Sequence, residues 1–396
     1  MGDTGCHAKD CAAGRPAEPF ASLAANAASD SPPDVLLHVG DYNYRGTASK
    51  VSFKDPQTGQ ITTDWAYDAG DGTQENENCG QAPDSGFVSQ NSPQSTQPDA
   101  WEFWRDDFFT PAGEMLWSAP WIFARGNHEL CSRAGPGWFY FLDASSNLPA
   151  GGGLQRSCPT PDPKANPFEN VVLVEPYLVD LGSLQMLVVD SANACDAFAT
   201  PQMTAFSSAY AEQFAQVGNL TPSAGVTWLM THRPIWGVEA FEPGTSTGCS
   251  SENHYGCINR TMQYAIRQSL EGNLPAGIQL LLAGHMHRFQ SLTFSSQRPP
   301  QLIVGDSGVR LDGRPPTGSF TAQVGDTETQ GRATGASITT PNGPVNAFAF
   351  MEIRFSTEGW EGILTNLDKT IQIASCGSEK QSQGSVCEFE SGLEVK

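Results

Sequence analysis

Short apolar runs recur along the chain, and each ends in a polar cluster. Val35 to Val39 precedes Gly40-Asp41, and Pro120 to Ala124 precedes Gly126-Asn127-His128-Glu129. Val226 to Met230 precedes Thr231-His232, and Ile278 to Leu282 precedes Gly284-His285-Met286-His287. Continuous rather than alternating apolar character predicts strands covered on both faces. Sheets built that way gather ligands at the carboxyl ends of their strands. Helices are predicted over 17–28, 101–109, 201–217 and 261–271, with Pro and Ser near their starts. The alternation of strand and helix points to an α/β fold.

Elsewhere the pattern changes. Residues 346–355 and 360–373 alternate apolar and polar positions around a Ser-Thr-Glu-Gly turn, which predicts an antiparallel meander. Residues 47–99 are rich in Gly, Gln, Asn, Asp, Ser and Thr and read as a long insertion, either covering a site or simply solvated. The Gly-, Thr- and Pro-rich stretch 310–344 predicts an irregular loop. One domain over 1–375 is expected, followed by a polar tail, 376–396, tied down by Cys376 and Cys387. No internal repeat is present.

With 396 residues, the chain can bury a substantial core. Its formal net charge of −21 disfavours binding to a nucleic-acid backbone or an anionic membrane surface. An anionic substrate must therefore be attracted locally, which bound metal ions would do. No run approaches the roughly 20 apolar residues that cross a bilayer. The 10 cysteines are even in number and lie mostly in loop-like contexts without a CxxC pair. They suit disulfides in an oxidising compartment, hence a secreted or periplasmic protein. Close spacing pairs Cys6 with Cys11, Cys249 with Cys257 and Cys376 with Cys387, and leaves the pairing of Cys79, Cys131, Cys158 and Cys195 open.

In chain order the polar clusters read Gly-Asp-Thr-Gly, Gly-Asp-Tyr-Asn-Tyr, Gly-Asn-His-Glu, Thr-His and Gly-His-Met-His. Hard oxygen donors and imidazoles converging from separate strand ends, with one carboxylate able to bridge, are what a binuclear hydrolytic site needs. This series resembles the calcineurin-like metallophosphoesterases, in particular their purple acid phosphatase branch. Tyr44 follows Asp41 at the spacing of the ferric-binding tyrosine of that branch, and Gly5 replaces a histidine that other members carry.

The resemblance implies a four-layer αββα sandwich of two mixed sheets flanked by helices, with the metal site at strand ends. Asp3, Asp41, Tyr44 and His287 would hold one ion, and Asp41, Asn127, His232 and His285 the other. Iron with zinc or manganese, or a pair of manganese or zinc ions, would fit. The implied activity is hydrolysis of phosphate esters by in-line attack of a metal-bound hydroxide. His128 would assist the leaving group and Glu129 would orient it; Arg133 and His254 are candidate substrate contacts. The expected partner is a small phosphorylated substrate.

The chain opens abruptly on Met1-Gly2-Asp3, a motif that ordinarily ends a strand. An export signal and a first strand are therefore expected upstream, and Asp3 is expected to be poorly ordered. Two other readings compete with this one. Gly305-Asp-Ser-Gly308 resembles the nucleophile motif of trypsin-like serine proteases, but the upstream His and Asp patterns of such enzymes are missing. The fold could also persist as a non-catalytic binder of phosphorylated ligands.

Overall fold

The computed structural model describes residues 1–6, 18–28, 32–44, 49–54, 61–66, 101–130, 134–143, 158, 172–194, 203–238, 259–312, 318–324, 331–337, 348–381 and 386–389. The fold is α/β. Its helices are α1 (Glu18–Ala28), α2 (Trp101–Trp104), α3 (Thr110–Ala112), α4 (Gly135–Phe141), α5 (Met203–Leu220), α6 (Arg260–Leu270) and α7 (Ser378–Gln381). A π turn, Arg105–Phe109, joins α2 to α3. Strands β1 (Leu36–His38) and β4 (Trp121–Phe123) pair in parallel, while β2 (Ser49–Lys54) and β3 (Ile61–Ala66) form a separate hairpin.

An eight-stranded mixed sheet contains β5 (Tyr177–Asp180), β6 (Leu184–Val188), β7 (Val226–Met230), β8 (Ile278–Ala283), β9 (Phe289–Phe294), β10 (Gln301–Val304), β11 (Gly318–Val324) and β12 (Gly331–Ser337). Its order is β11-β12-β9-β10-β8-β7-β6-β5, with β6, β7, β8 and β10 parallel. A four-stranded antiparallel sheet runs β13 (Ala349–Ser356), β14 (Gly359–Asn366), β15 (Gln372–Gly377) and β16 (Cys387–Phe389).

The continuous apolar runs are explained by burial of both faces. In β7 and β8, Trp228, Met230, Leu280 and Leu282 face a core shared with Trp360, Leu364, Ile373 and Ala374 of the four-stranded sheet. Their neighbours Leu229 and Leu281 face the opposite way, against Tyr210, Phe214 and Val217 of α5 and Met262, Ala265 and Ile266 of α6. The helical residues recur at three- and four-residue spacing, as one buried face of a helix requires. Asn259 caps α6, its side chain accepting from the Met262 amide at 2.9 Å. Trp228 meets the rings of Trp360 at 5.5 Å and Phe355 at 5.8 Å, pinning sheet to sheet. Helices α1, α2 and α4 close a third cluster over β1, through Phe20, Leu23, Trp104, Phe108, Trp138 and Leu36.

Three expectations differ from this architecture. The stretch 310–344 contains the β11–β12 hairpin, which extends the sheet through main-chain pairing and so needs no apolar signature. The run 360–373 is two strands, because Lys369 adopts φ +57° and turns the chain between β14 and β15. The supposed tail begins inside β15, while the Cys376–Cys387 disulfide is the one expected and joins directly opposed residues of β15 and β16. Cys6 and Cys158 are also disulfide-bonded; the other cysteines lie outside the described residues.

Candidate metal centre

The loop after β1 turns at once, with Gly40 at φ +107° and Asp41 at φ +59°. Glycine suits such a backbone and aspartate tolerates it. A side chain at Gly40 would strike the His232 ring, and one at Gly126 would fall on the Asp41 carboxylate. Glu129 fixes this loop. Its buried carboxylate accepts from the amides of Asp41 (3.2 Å), Tyr42 (2.9 Å), Asn43 (3.2 Å) and Gly126 (3.1 Å). Those donors stand in for the water that an ionised group loses on burial. The loop in turn offers the Asn43 carbonyl to Nδ1 of His128 at 3.2 Å, so Glu129 reaches His128 through backbone.

Asp3 is well held rather than loose at a chain end. Its amide donates to the Gly40 carbonyl at 3.0 Å, and its carbonyl accepts from the Val309 amide at 2.8 Å. Its side chain is 0 % exposed, and Oδ2 accepts from the His285 amide at 3.0 Å. Asp3 and His285 share Asp41's left-handed backbone, at φ +55° and +69°. Strain of that kind costs about 1–3 kcal/mol per residue and collects where function demands a fixed side chain.

Three histidines present nitrogens to the cluster. His232 Nδ1 lies 2.9 Å from the Val39 carbonyl, which leaves Nε2 facing Asn127 Oδ1 at 2.9 Å and Asp41 Oδ2 at 3.2 Å. Ser191, beyond the end of β6, anchors that turn by accepting from the amides of His232 (2.9 Å) and Arg233 (2.8 Å). His287 Nδ1 lies 3.1 Å from the Arg310 carbonyl and 3.5 Å from Asp312 Oδ1, so its Nε2 faces Tyr44 Oη at 3.1 Å. His285 Nδ1 faces Asn127 Oδ1 at 2.8 Å.

Tyr44 and His232 meet at Asp41. Its Oδ2 lies 3.0 Å from Tyr44 Oη and 3.2 Å from His232 Nε2, touching both donor sets at once. Tyr44 Oη is also 2.9 Å from Asp3 Oδ1. Asp41, His232 and His285 each offer a ligand atom within 4.8 Å of the others. Adjacent donors on a cation with bonds of ~2.1 Å lie ~3.0–3.4 Å apart, so the spacing and the oxygen–imidazole mixture both fit.

Electrostatics divide the cluster. Burial and the Asp41 charge push the Asp3 carboxyl well above the usual carboxylate range. Burial alone would raise Asp41 too, but the imidazoles of His232 and His128 overcome it and hold Asp41 well below that range. Burial, then the charges of Asp3 and Asp41, drive the Tyr44 phenol far up.

The structure thus brings together Asp3, Asp41, Tyr44, Asn127, His232, His285 and His287, with His128 and Glu129 beside them. Arg133 and His254 lie outside the described residues. Sequence reasoning missed Ser191, Asp312, Asp107 and Arg233. Asp107, in the π turn, accepts from the Tyr44 amide at 2.7 Å. Arg233 could have been noticed, because it directly follows His232; the others carry no local motif.

No family model matches the sequence, and no curated protein matches it. Among solved structures, one described as "GAP50 the anchor in the inner membrane complex of Plasmodium" is 9% identical, with a TM-score of 0.47. That match covers 95% of this chain and 85% of the other. No helix among the described residues is long and apolar enough to cross a membrane.

Proposed function

We propose that the chain is a binuclear metallophosphoesterase that hydrolyses phosphate esters, built as a four-layer αββα sandwich with its site at strand ends. The observation that carries this reading is the single oxygen, Asp41 Oδ2, lying between an oxygen-rich set (Asp3, Tyr44, His287) and an imidazole–amide set (Asn127, His232, His285). Asp41 would then be the ligand shared by both ions. Two ions bound there would supply Lewis acidity and a water acidified to a pKa of about 7. The protein's part is positional. Val39, Arg310 and Asp312 fix histidine rings from behind, as outer-shell partners do. His128, held at Nδ1 by Asn43, has Nε2 3.9 Å from Asp41 Oδ2 and would exchange a proton with the leaving oxygen there. General acid help of this kind is worth about 10²–10⁴ in rate.

The Tyr44 phenol supports the purple acid type, with iron paired with zinc or manganese; two manganese or zinc ions are the other composition that suits the donors. The Cys376–Cys387 disulfide supports a secreted or periplasmic location. The test is metal analysis of the purified chain together with hydrolysis of an aryl phosphate monoester and diester. Two ions and turnover are expected, with a visible tyrosinate–ferric band that Tyr44→Phe abolishes if iron is bound. Two ions with no turnover of either ester would instead favour a phosphoryl-binding descendant.

A further inference from the structure

Arg233 is 6% exposed, and its guanidinium is directed at the candidate site. Nε reaches the Ala192 carbonyl at 3.4 Å, and Nη1 lies 3.0 Å from His285 Nε2. An arginine offers only donors, so Nη1 donates and His285 Nε2 accepts. The His285 proton then sits on Nδ1, donated to Asn127 Oδ1 at 2.8 Å. Yet Nδ1 is the nitrogen facing Asn127, and a cation there needs its lone pair. A neutral ring giving Nδ1 to a cation carries its proton on Nε2, where it would oppose the Arg233 donor. Donor against donor at that distance is relieved by an acceptor that both can share.

We propose that Arg233 recognises the terminal phosphoryl group of a phosphomonoester, taking one oxygen jointly with His285 Nε2–H when a cation is held by Asp41, Asn127, His232 and His285. The inference rests on the metallophosphoesterase reading and adds to it the residue that would select a monoester. A guanidinium fork matches paired phosphoryl oxygens. A monoester presents three terminal oxygens, enough for two cations and an arginine; a diester presents two. In a chain of net charge −21, a buried arginine also supplies the local attraction an anion requires.

The experiment is calorimetric titration of inorganic phosphate into the zinc-loaded full chain, as wild type, Arg233→Met and Arg233→Lys, with metal content measured on each. Phosphate affinity is expected to fall about ten- to a hundredfold in Arg233→Met at unchanged metal content, with Arg233→Lys between. Histidine ¹⁵N spectra should show the His285 proton moving from Nδ1 to Nε2 on zinc loading. Where turnover is present, kcat/KM for the aryl monoester should fall far more than for the diester. Wild-type phosphate affinity in Arg233→Met overturns the proposal, as does metal loss in both variants, which would make Arg233 a mere support for His285. Arginine-dependent phosphate binding without any turnover would sink the hydrolase reading and leave this inference standing.

Discussion

The two donor sets that meet on Asp41 differ in what they must give up to hold a cation. Asn127, His232 and His285 present an amide and two imidazoles, and against the effect of burial the His232 and His128 rings hold the Asp41 carboxyl well below the usual carboxylate range. Burial and neighbouring charge instead raise the Asp3 carboxyl and the Tyr44 phenol well above their ordinary values. Ionising the oxygen set therefore costs more, and on the proposed reading that set would favour the harder, more highly charged ion. On that reading, one fold would build two unlike sites by varying the company of a single carboxylate.

The widest break of that contrast comes from Asp41→Asn. Removing the shared oxygen should empty both positions and abolish turnover, a loss beyond the ~10–100-fold that outer-shell changes cost. Metal analysis after dialysis checks it; retention of two ions would show that Asp41 does not bridge. Asp312→Asn acts on one set only. Asp312 accepts from the His287 amide at 2.9 Å and faces the ring Nδ1, so affinity at the oxygen set should fall about 10–100-fold while the imidazole set keeps its ion.

Asp306 sharpens the comparison without touching either set. It is buried like Asp3, but neither of its carboxylate oxygens has a hydrogen-bond partner among the described residues. Burial pushes its pKa up to about 7. A raised carboxyl holds a proton in the folded state that the unfolded state releases from about pH 4, so its contribution is greatest at acid pH and declines until pH passes about 7. The upper bound on that decline is ~4 kcal/mol at 1.36 kcal/mol per unit. Asp306→Asn should leave metal content unchanged and gain melting temperature over wild type as pH rises from 5 to 8. A difference that stays flat across that range would refute it.

Much of this was legible in the sequence, for identifiable reasons. β7 and β8 stood out because both faces are buried, which writes an unbroken apolar run into the chain. Apart from Asp3, which only Met1 and Gly2 precede, the donor residues stood out because they follow such a run or its turn. β9 to β12 left weaker traces, since Gln290, Ser291 and Gln301 are buried polar residues and the β11–β12 hairpin joins through main-chain bonds. The supports of the site were invisible for a related reason. Ser191 and Asp312 act through hydrogen bonds that fold topology creates, and no spacing rule announces a partner 41 or 25 positions away.

The bond from the His285 amide to Asp3 spans 282 positions, and that between Tyr44 and His287 spans 243. Loop-closure entropy grows with every doubling of such a span, by about 0.6 kcal/mol. Contacts of this reach form only after the sheets between them are in place. The donor cluster is therefore a sensor of completed folding: in the denatured ensemble its members are scattered along nearly three-quarters of the chain, and no partial assembly offers an ion more than a fragment of a site. An ion at a hundred times its dissociation constant would then add ~2.7 kcal/mol to the native state alone.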